Sequence, residues 1–178
     1  NPETSRQTAM ARFMAAQGFA LHDYVGLHRW STSDPGAFWA ALWDFCAVPG
    51  ERGQIAFVPD EAHWMTGARF FPQAQLNFAE VMLAGTPDEI AVHTVTECGD
   101  SSCLTRGALT AQVARVAEGL LRAGVSPGDR VAGILPNTAE ALVALLATAA
   151  VGGIWTSSSP DFGTIAIVDR LGQVAPKV

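Results

Sequence analysis

The 178-residue chain lacks most of the short patterns that give chemistry away. No G-x-G-x-x-G follows a strand, so a nicotinamide or flavin dehydrogenase is unsupported. No G-x-x-x-x-G-K-S/T is present, which removes the P-loop nucleotide hydrolases. No G-x-S-x-G is present either, so the nucleophile elbow of the α/β-hydrolases is missing. His22, His28, His63 and His93 have no metal-ligand spacing to one another or to a cysteine pair. Cysteine is sparse and odd in number: Cys46, Cys98 and Cys103. That argues against a secreted disulfide framework and for a reducing, cytoplasmic setting. Cys98 and Cys103 flank a turn and are expected to face each other across a hairpin, as small buried thiols. No block of one charge sign occurs and the net charge is −6, whereas nucleic-acid binding needs a basic stripe. The longest apolar run, Ala141–Trp155, contains two glycines and is shorter than the ~20 residues of a membrane span. Asn1 to Thr8 has no basic region leading into an apolar core, so no secretory signal is expected. There is no internal repeat and no low-complexity segment.

What is present is a globular composition. With 49% hydrophobic and 16% charged residues, the chain can bury a core. Residues 1–72 hold four of the five tryptophans, Trp30, Trp39, Trp43 and Trp64. The spacing of Ala9, Met10, Phe13, Met14 and Ala16 predicts a helix over Thr4–Gln17, closed by Gly18. Asp34-Pro35 is a cap followed by a first-turn proline. On the helix it opens, Phe38, Trp39, Leu42, Trp43, Phe45 and Cys46 recur at helical spacing, and the stripe is read as core packing. Ile55–Val58 is a possible short strand. The segment 63–72 has no clean period and reads as an ordered surface stretch. Leu76 to Glu80 opens a further helix to about Leu83.

An α/β pattern begins near Ile90. Glu89–Val95 is β-branched and predicts a strand, with a return strand through Leu104 after the turn Cys98–Cys103. Ala108–Ala123 is amphipathic, with Leu109, Val113, Val116, Ala117, Leu120 and Leu121 on one face and Gly124 as its left-handed stop. Val125–Asp161 then organises the chain. Ser126 to Asp129 is turn chemistry, Arg130–Leu135 a short apolar strand, and Pro136 its end. Asn137 is the expected N-cap, with Glu140 in capping-box spacing. Ala139–Val151 is a helix apolar nearly all round and therefore buried on most sides. Gly152-Gly153 stops it, and Ile154-Trp155-Thr156 starts a second strand. Strand, helix and strand in so short a span make a βαβ crossover with parallel strands. A helix follows over about Thr164–Gln173, and Ala175–Val178 leads into another strand. A domain rarely stops on an unpaired strand, so the chain is expected to be part of a longer protein.

The run GDRVAGILPNTAEALVALLATAAVGGIWTSSSPDFG, with VDRLGQVAPKV after it, resembles the adenylate-forming acyl-CoA synthetase superfamily. Ile154-Trp155 with Ser157–Gly163, and upstream LHRW, W-x-x-GARFFP and LNFAE, are similar more narrowly to its acetoacetyl-CoA synthetases. The implied fold is α/β: the N-terminal part of the adenylate-forming ligase fold. It is a mainly parallel sheet flanked by helices, with strands near 90–95, 130–135 and 153–157. The implied division is a helical, aromatic-rich extension at 1–72, packed on a first, incomplete α/β subdomain at 73–178.

The resemblance implies an AMP-forming ligase. Acetoacetate, ATP and CoA would give acetoacetyl-CoA, AMP and pyrophosphate, with Mg2+ in the full-length protein. It implies a Ser/Thr/Gly-rich triphosphate loop with a lysine, ribose- and adenine-binding residues, and a mobile C-terminal domain. None of these matches residues 1–178, so no catalytic residue and no bound cofactor is expected in this chain alone. The turn Ser159, Pro160, Asp161 is the candidate CoA-side contact. Related acetyl-CoA synthetases carry Gly-Gly there, and an acidic residue beside phosphate is unfavourable unless it meets a ribose or amine. The competing reading of this turn is a strand end and N-cap. Ser157–Ser159 lacks the glycines and lysine of a phosphate loop. No nucleic-acid or membrane partner is expected; self-association through the incomplete sheet is. Two other classes stay open: a stand-alone interaction module derived from the ligase, and a small doubly wound binding domain of unrelated function.

Overall fold

A computed structural model describes residues 7–63 and 66–178. They divide into two units, Asn1–Leu76 and Asn77–Val178.

In the first unit, Thr8 opens helix α1 (Ala9–Ala16), its hydroxyl accepting from the Ala11 amide at 3.2 Å. The expected start at Thr4 lies outside the described residues, as do Trp64 and Met65. Helix α2 (Tyr24–Ser33) is capped by Asp23, whose carboxylate accepts from Gly26 at 2.9 Å. No periodicity marks this helix in the sequence, because only Leu27 is buried and the apolar stripe is thin. Helix α3 (Pro35–Phe45) starts as predicted: Asp34 accepts from Ala37 at 3.0 Å and Pro35 fills the first turn. Phe13, Met14 and Leu27 form the buried centre, with Phe19, Trp30, Phe38, Leu42 and Phe45 packed around them. Met10 was placed on the same face but is about half exposed. Strands β1 (Phe57–Val58) and β2 (Arg69–Phe70) pair antiparallel. Two-residue strands are too short for an alternation to show, so β2 lies within the stretch 63–72 that has no clean period.

The second unit begins with α4 (Phe78–Leu83). Its cap Asn77 uses both ends of its amide: Oδ1 accepts from Ala79 at 2.9 Å, and Nδ2 donates to the Ala150 carbonyl at 3.0 Å. Strands β3 (Ile90–Val95) and β4 (Ser101–Thr105) form the expected hairpin. Helix α5 (Arg106–Arg122) is capped by Thr105 and stopped by Gly124 at φ +83°. Strand β5 (Arg130–Ile134), helix α6 (Ala139–Ala150) and strand β6 (Ile154–Ser158) follow. β5 and β6 pair parallel, from Arg130 opposite Ile154 to Ile134 opposite Ser158, as the βαβ reading requires. Helix α7 (Thr164–Val174) ends on Ala175 in the left-handed region.

The core lies between α5, α6 and β5. Leu109, Val113 and Leu120 meet Val143, Leu146 and Ala147, with Val131 and Ala79 alongside. Helix α6 buries Val143, Leu146, Ala147 and Thr148, its other residues are half-buried, and Glu140 alone is exposed on it, so the helix is less enclosed than its apolar sequence predicts. Its one interior polar side chain, Thr148, donates to the Ala144 carbonyl at 2.8 Å and so leaves no unpaired hydroxyl inside.

Five expectations need correction. Among the described residues the strand at 90–95 shares no sheet with the other two and pairs with β4, because the short turn 96–100 brings its return strand back locally. The parallel pair thus stands as a two-stranded sheet. Val116 and Leu121 of α5 turn away from the core, at 38% and 57% exposed, since the apolar face is narrower than the pattern suggested. The cysteines are exposed rather than buried, and Cys103 faces His93 across the hairpin, not Cys98, which sits in the turn. Helix α6 is capped at Thr138, not Asn137: the chain after Pro136 takes one further extended residue before turning. Helix α7 is entered through Gly163, so the Ser159–Asp161 turn is not its N-cap.

The last residues run along the free edge of β5. Lys177 donates its backbone N–H to Arg130, and Ala132 donates to Val178, both at 2.8 Å. That is the strand lead-in expected from the sequence. Among the described residues, no helix is long and apolar enough to cross a membrane.

Candidate functional site

In open α/β sheets ligands collect beyond the carboxyl ends of the parallel strands. Here two segments leave that end. The chain after β5 passes through Pro136, Asn137 and Thr138 into α6, and the chain after β6 makes the turn Ser159-Pro160-Asp161. Their strands are tied to the last rung, with Leu135 donating to the Ser158 carbonyl at 3.3 Å. The parallel register therefore puts the candidate turn and the lead-in to α6 at the same end of the strand pair.

The turn is held by its own polar groups. Ser159 Oγ donates to Asp161 Oδ2 at 2.7 Å, and the Asp161 amide donates back to Ser159 Oγ at 3.3 Å. The Phe162 amide donates to the Ser159 carbonyl at 3.4 Å. Pro160 has no N–H to give. The Ser159 hydroxyl proton is committed to Asp161, so the turn presents mainly acceptors: carbonyl oxygens and a carboxylate. On α7, the Arg170 guanidinium lies 4.0 Å from the centre of the Phe162 ring. Among the described residues no cation pairs with Asp161, and such acceptors suit hydroxyl or amine donors and not a bare phosphate.

At the start of α6, Glu140 sits in the first turn. Its carboxyl is held below the usual range, chiefly by the Thr138 hydroxyl and then by its own backbone N–H, against a small opposing effect of burial. A carboxylate at a helix N-terminus is also favoured by the helix dipole. This end of α6 thus already carries an internal anion.

Sequence reasoning missed one contact between reactive groups. Cys103 Sγ lies 3.2 Å from His93 Nδ1. The two are ten residues apart, so no motif flags them; counting rungs outward from the hairpin turn would have. Among the described residues there is no cluster of three or more His, Cys, Asp or Glu.

Comparison with known proteins places this geometry. The profile of the AMP-binding enzyme family matches residues 79–178, more than half of the chain. An acetoacetyl-coenzyme A synthetase of Rhizobium meliloti (strain 1021) is 46% identical over 161 residues, covering 90% of this chain and 24% of that protein. A malonamoyl-CoA synthetase of Penicillium aethiopicum is 40% identical over 167 residues, covering 90% of this chain and 23% of that protein. Among solved structures, the acetoacetyl-CoA synthetase from Streptomyces lividans superposes with a TM-score of 0.87 at 40% identity, over 99% of this chain and 28% of that one. The chain spans about a quarter of the length of the relatives it matches. It belongs to the AMP-binding enzyme family.

Proposed function

We propose that these residues are the N-terminal part of an AMP-forming ligase that activates acetoacetate. The acid's carboxylate oxygen attacks the α-phosphorus of ATP and releases pyrophosphate. The CoA thiol then attacks the acyl carbon and releases AMP, with Mg2+ serving the triphosphate. One observation carries the narrower reading. The AMP-binding profile begins at residue 79, yet the likeness to the Streptomyces lividans acetoacetyl-CoA synthetase runs over 99% of the chain. That likeness includes residues ahead of the profile, which supports reading 1–72 as an aromatic-rich extension and 73–178 as the first adenylation subdomain.

A second reading concerns the acid. The 40% identity to a malonamoyl-CoA synthetase favours a wider class, short carboxylic acids with a carbonyl on the β carbon, to which acetoacetate and malonamate both belong. Within either reading, Ser159, Pro160 and Asp161 contact CoA, through a ribose hydroxyl or an amine and not through its phosphates. Residues 1–178 alone form no adenylate, because the triphosphate loop, the adenine contacts and the C-terminal lysine have no counterpart here. They also associate with one another through apolar surface such as Ile165 and Val168, which are 88% and 65% exposed.

ATP–pyrophosphate exchange with acetoacetate tests this, run on residues 1–178 and on the longer polypeptide that carries them. Exchange by the longer protein alone is expected. Exchange by 1–178 would overturn the placement of the chemistry. No exchange by the longer protein with any short acid would overturn the reaction itself.

A further inference from the structure

We propose that Cys103, with His93 as its base, is a site of thiol–disulfide exchange that takes up a low-molecular-weight thiol as a mixed disulfide. The pair is built by the hairpin. His93 and Cys103 are directly opposed in the β3–β4 register, and the imidazole Nδ1 stands 3.2 Å from the sulfur. Both residues are exposed, so a reagent reaches the sulfur from solvent. Cys46 and Cys98 are also exposed, but among the described residues neither sulfur has an imidazole beside it. Exposure is thus common to all three thiols, and the base is what separates Cys103 from the others.

The step balances without a further oxidant. The Cys103 Sγ–H proton passes to His93 Nδ1, and the sulfur attacks one sulfur of a small disulfide. The S–S bond breaks, a Cys103–S–S bond forms, and the departing thiolate takes the proton back from the imidazolium. The second sulfur comes from outside the chain: the cross-strand position facing Cys103 is occupied by His93, and Cys98 lies beyond the Val95–Ser101 rung in the turn.

The test uses the 178-residue chain and oxidised glutathione, with peptide mapping by mass spectrometry over time. Cys103 is expected to be modified first, at least about tenfold faster than Cys46 or Cys98, as expected of general-base assistance. His93→Gln is expected to bring Cys103 down to the rate of the other two, and the difference is expected to vanish in denaturant. Equal rates for the three thiols in the native wild-type chain, a ranking that needs no variant, would overturn the proposal. So would an unchanged Cys103 rate in a folded His93→Gln chain.

Discussion

Lys177 Nζ lies 2.7 Å from Asp129 Oδ2 and donates at the same time to the Gly124 carbonyl at 2.6 Å. One ammonium thus ties the end of the chain to the turn that opens β5. The Arg130 side chain holds the preceding residues, its Nε donating to the Val174 carbonyl at 2.6 Å. The Asp129 carboxyl is held below its ordinary value of 3.8, first by the hydrogen bond from Lys177, then by the Ser126 amide, against the effect of desolvation. A depressed carboxyl contributes stability that is complete above pH 3.8 and is lost as pH falls through the lower folded value. Asp129→Asn is therefore expected to lower the melting temperature at neutral pH, and the gap to wild type is expected to close in strong acid. Thermal melts across pH measure this; a gap independent of pH would contradict it.

The same contact predicts a local effect. The Ala132 amide donates to Val178 on the docked edge. Lys177→Ala is expected to speed hydrogen exchange at Ala132 while leaving Leu146, in the core, unchanged. Equal acceleration at both sites would mean global destabilisation instead.

Phe13 is the hub of the first unit, with ring centres 5.2 Å from Phe45, 5.9 Å from Phe38 and 6.4 Å from Trp30. Phe13→Ala is expected to cost about 3–5 kcal/mol, as for other buried aromatic truncations. The loss is read from denaturant unfolding followed by tryptophan fluorescence. A cost below about 1 kcal/mol would mean that Phe13 is not buried against these rings.

In the parallel pair, Gly133 lies against the Trp155 ring, and a Cβ there would collide with its outer carbons. Gly133→Ala is expected to destabilise by about 1–3 kcal/mol through overpacking, despite alanine's lower backbone entropy. Denaturant melts decide; a stabilised variant would place the ring elsewhere.

The parts of the fold that were legible have local causes. Asp34-Pro35 signals a helix start wherever it stands, Gly124 supplies the left-handed stop, and a buried helix between two short apolar strands admits few arrangements. What was not legible depends on pairing between distant residues. The hairpin keeps Ile90–Val95 out of the parallel sheet, and nothing within that strand says so. Helix α2 has one buried residue and so no stripe to read. The Ser159–Asp161 turn was found by resemblance and position, but its internal Ser159 to Asp161 bond, which turns it toward accepting donors, depends on rotamers. His93 and Cys103 meet only once the register is known.

For that turn, Asp161→Asn in the longer protein is expected to raise KM for CoA about fivefold or more while leaving ATP–pyrophosphate exchange, which needs no CoA, unchanged. Loss of both together would remove the turn from the CoA side.

The acid that the longer protein activates is read from kcat/KM for acyl-CoA formation with acetoacetate, malonamate and acetate as competing acids. Acetoacetate is expected to be preferred over acetate by at least about tenfold, the low end of what even one missing methylene costs in a fitted pocket. A preference for acetate, or no acyl-CoA from either acid bearing a β-carbonyl, would contradict the account.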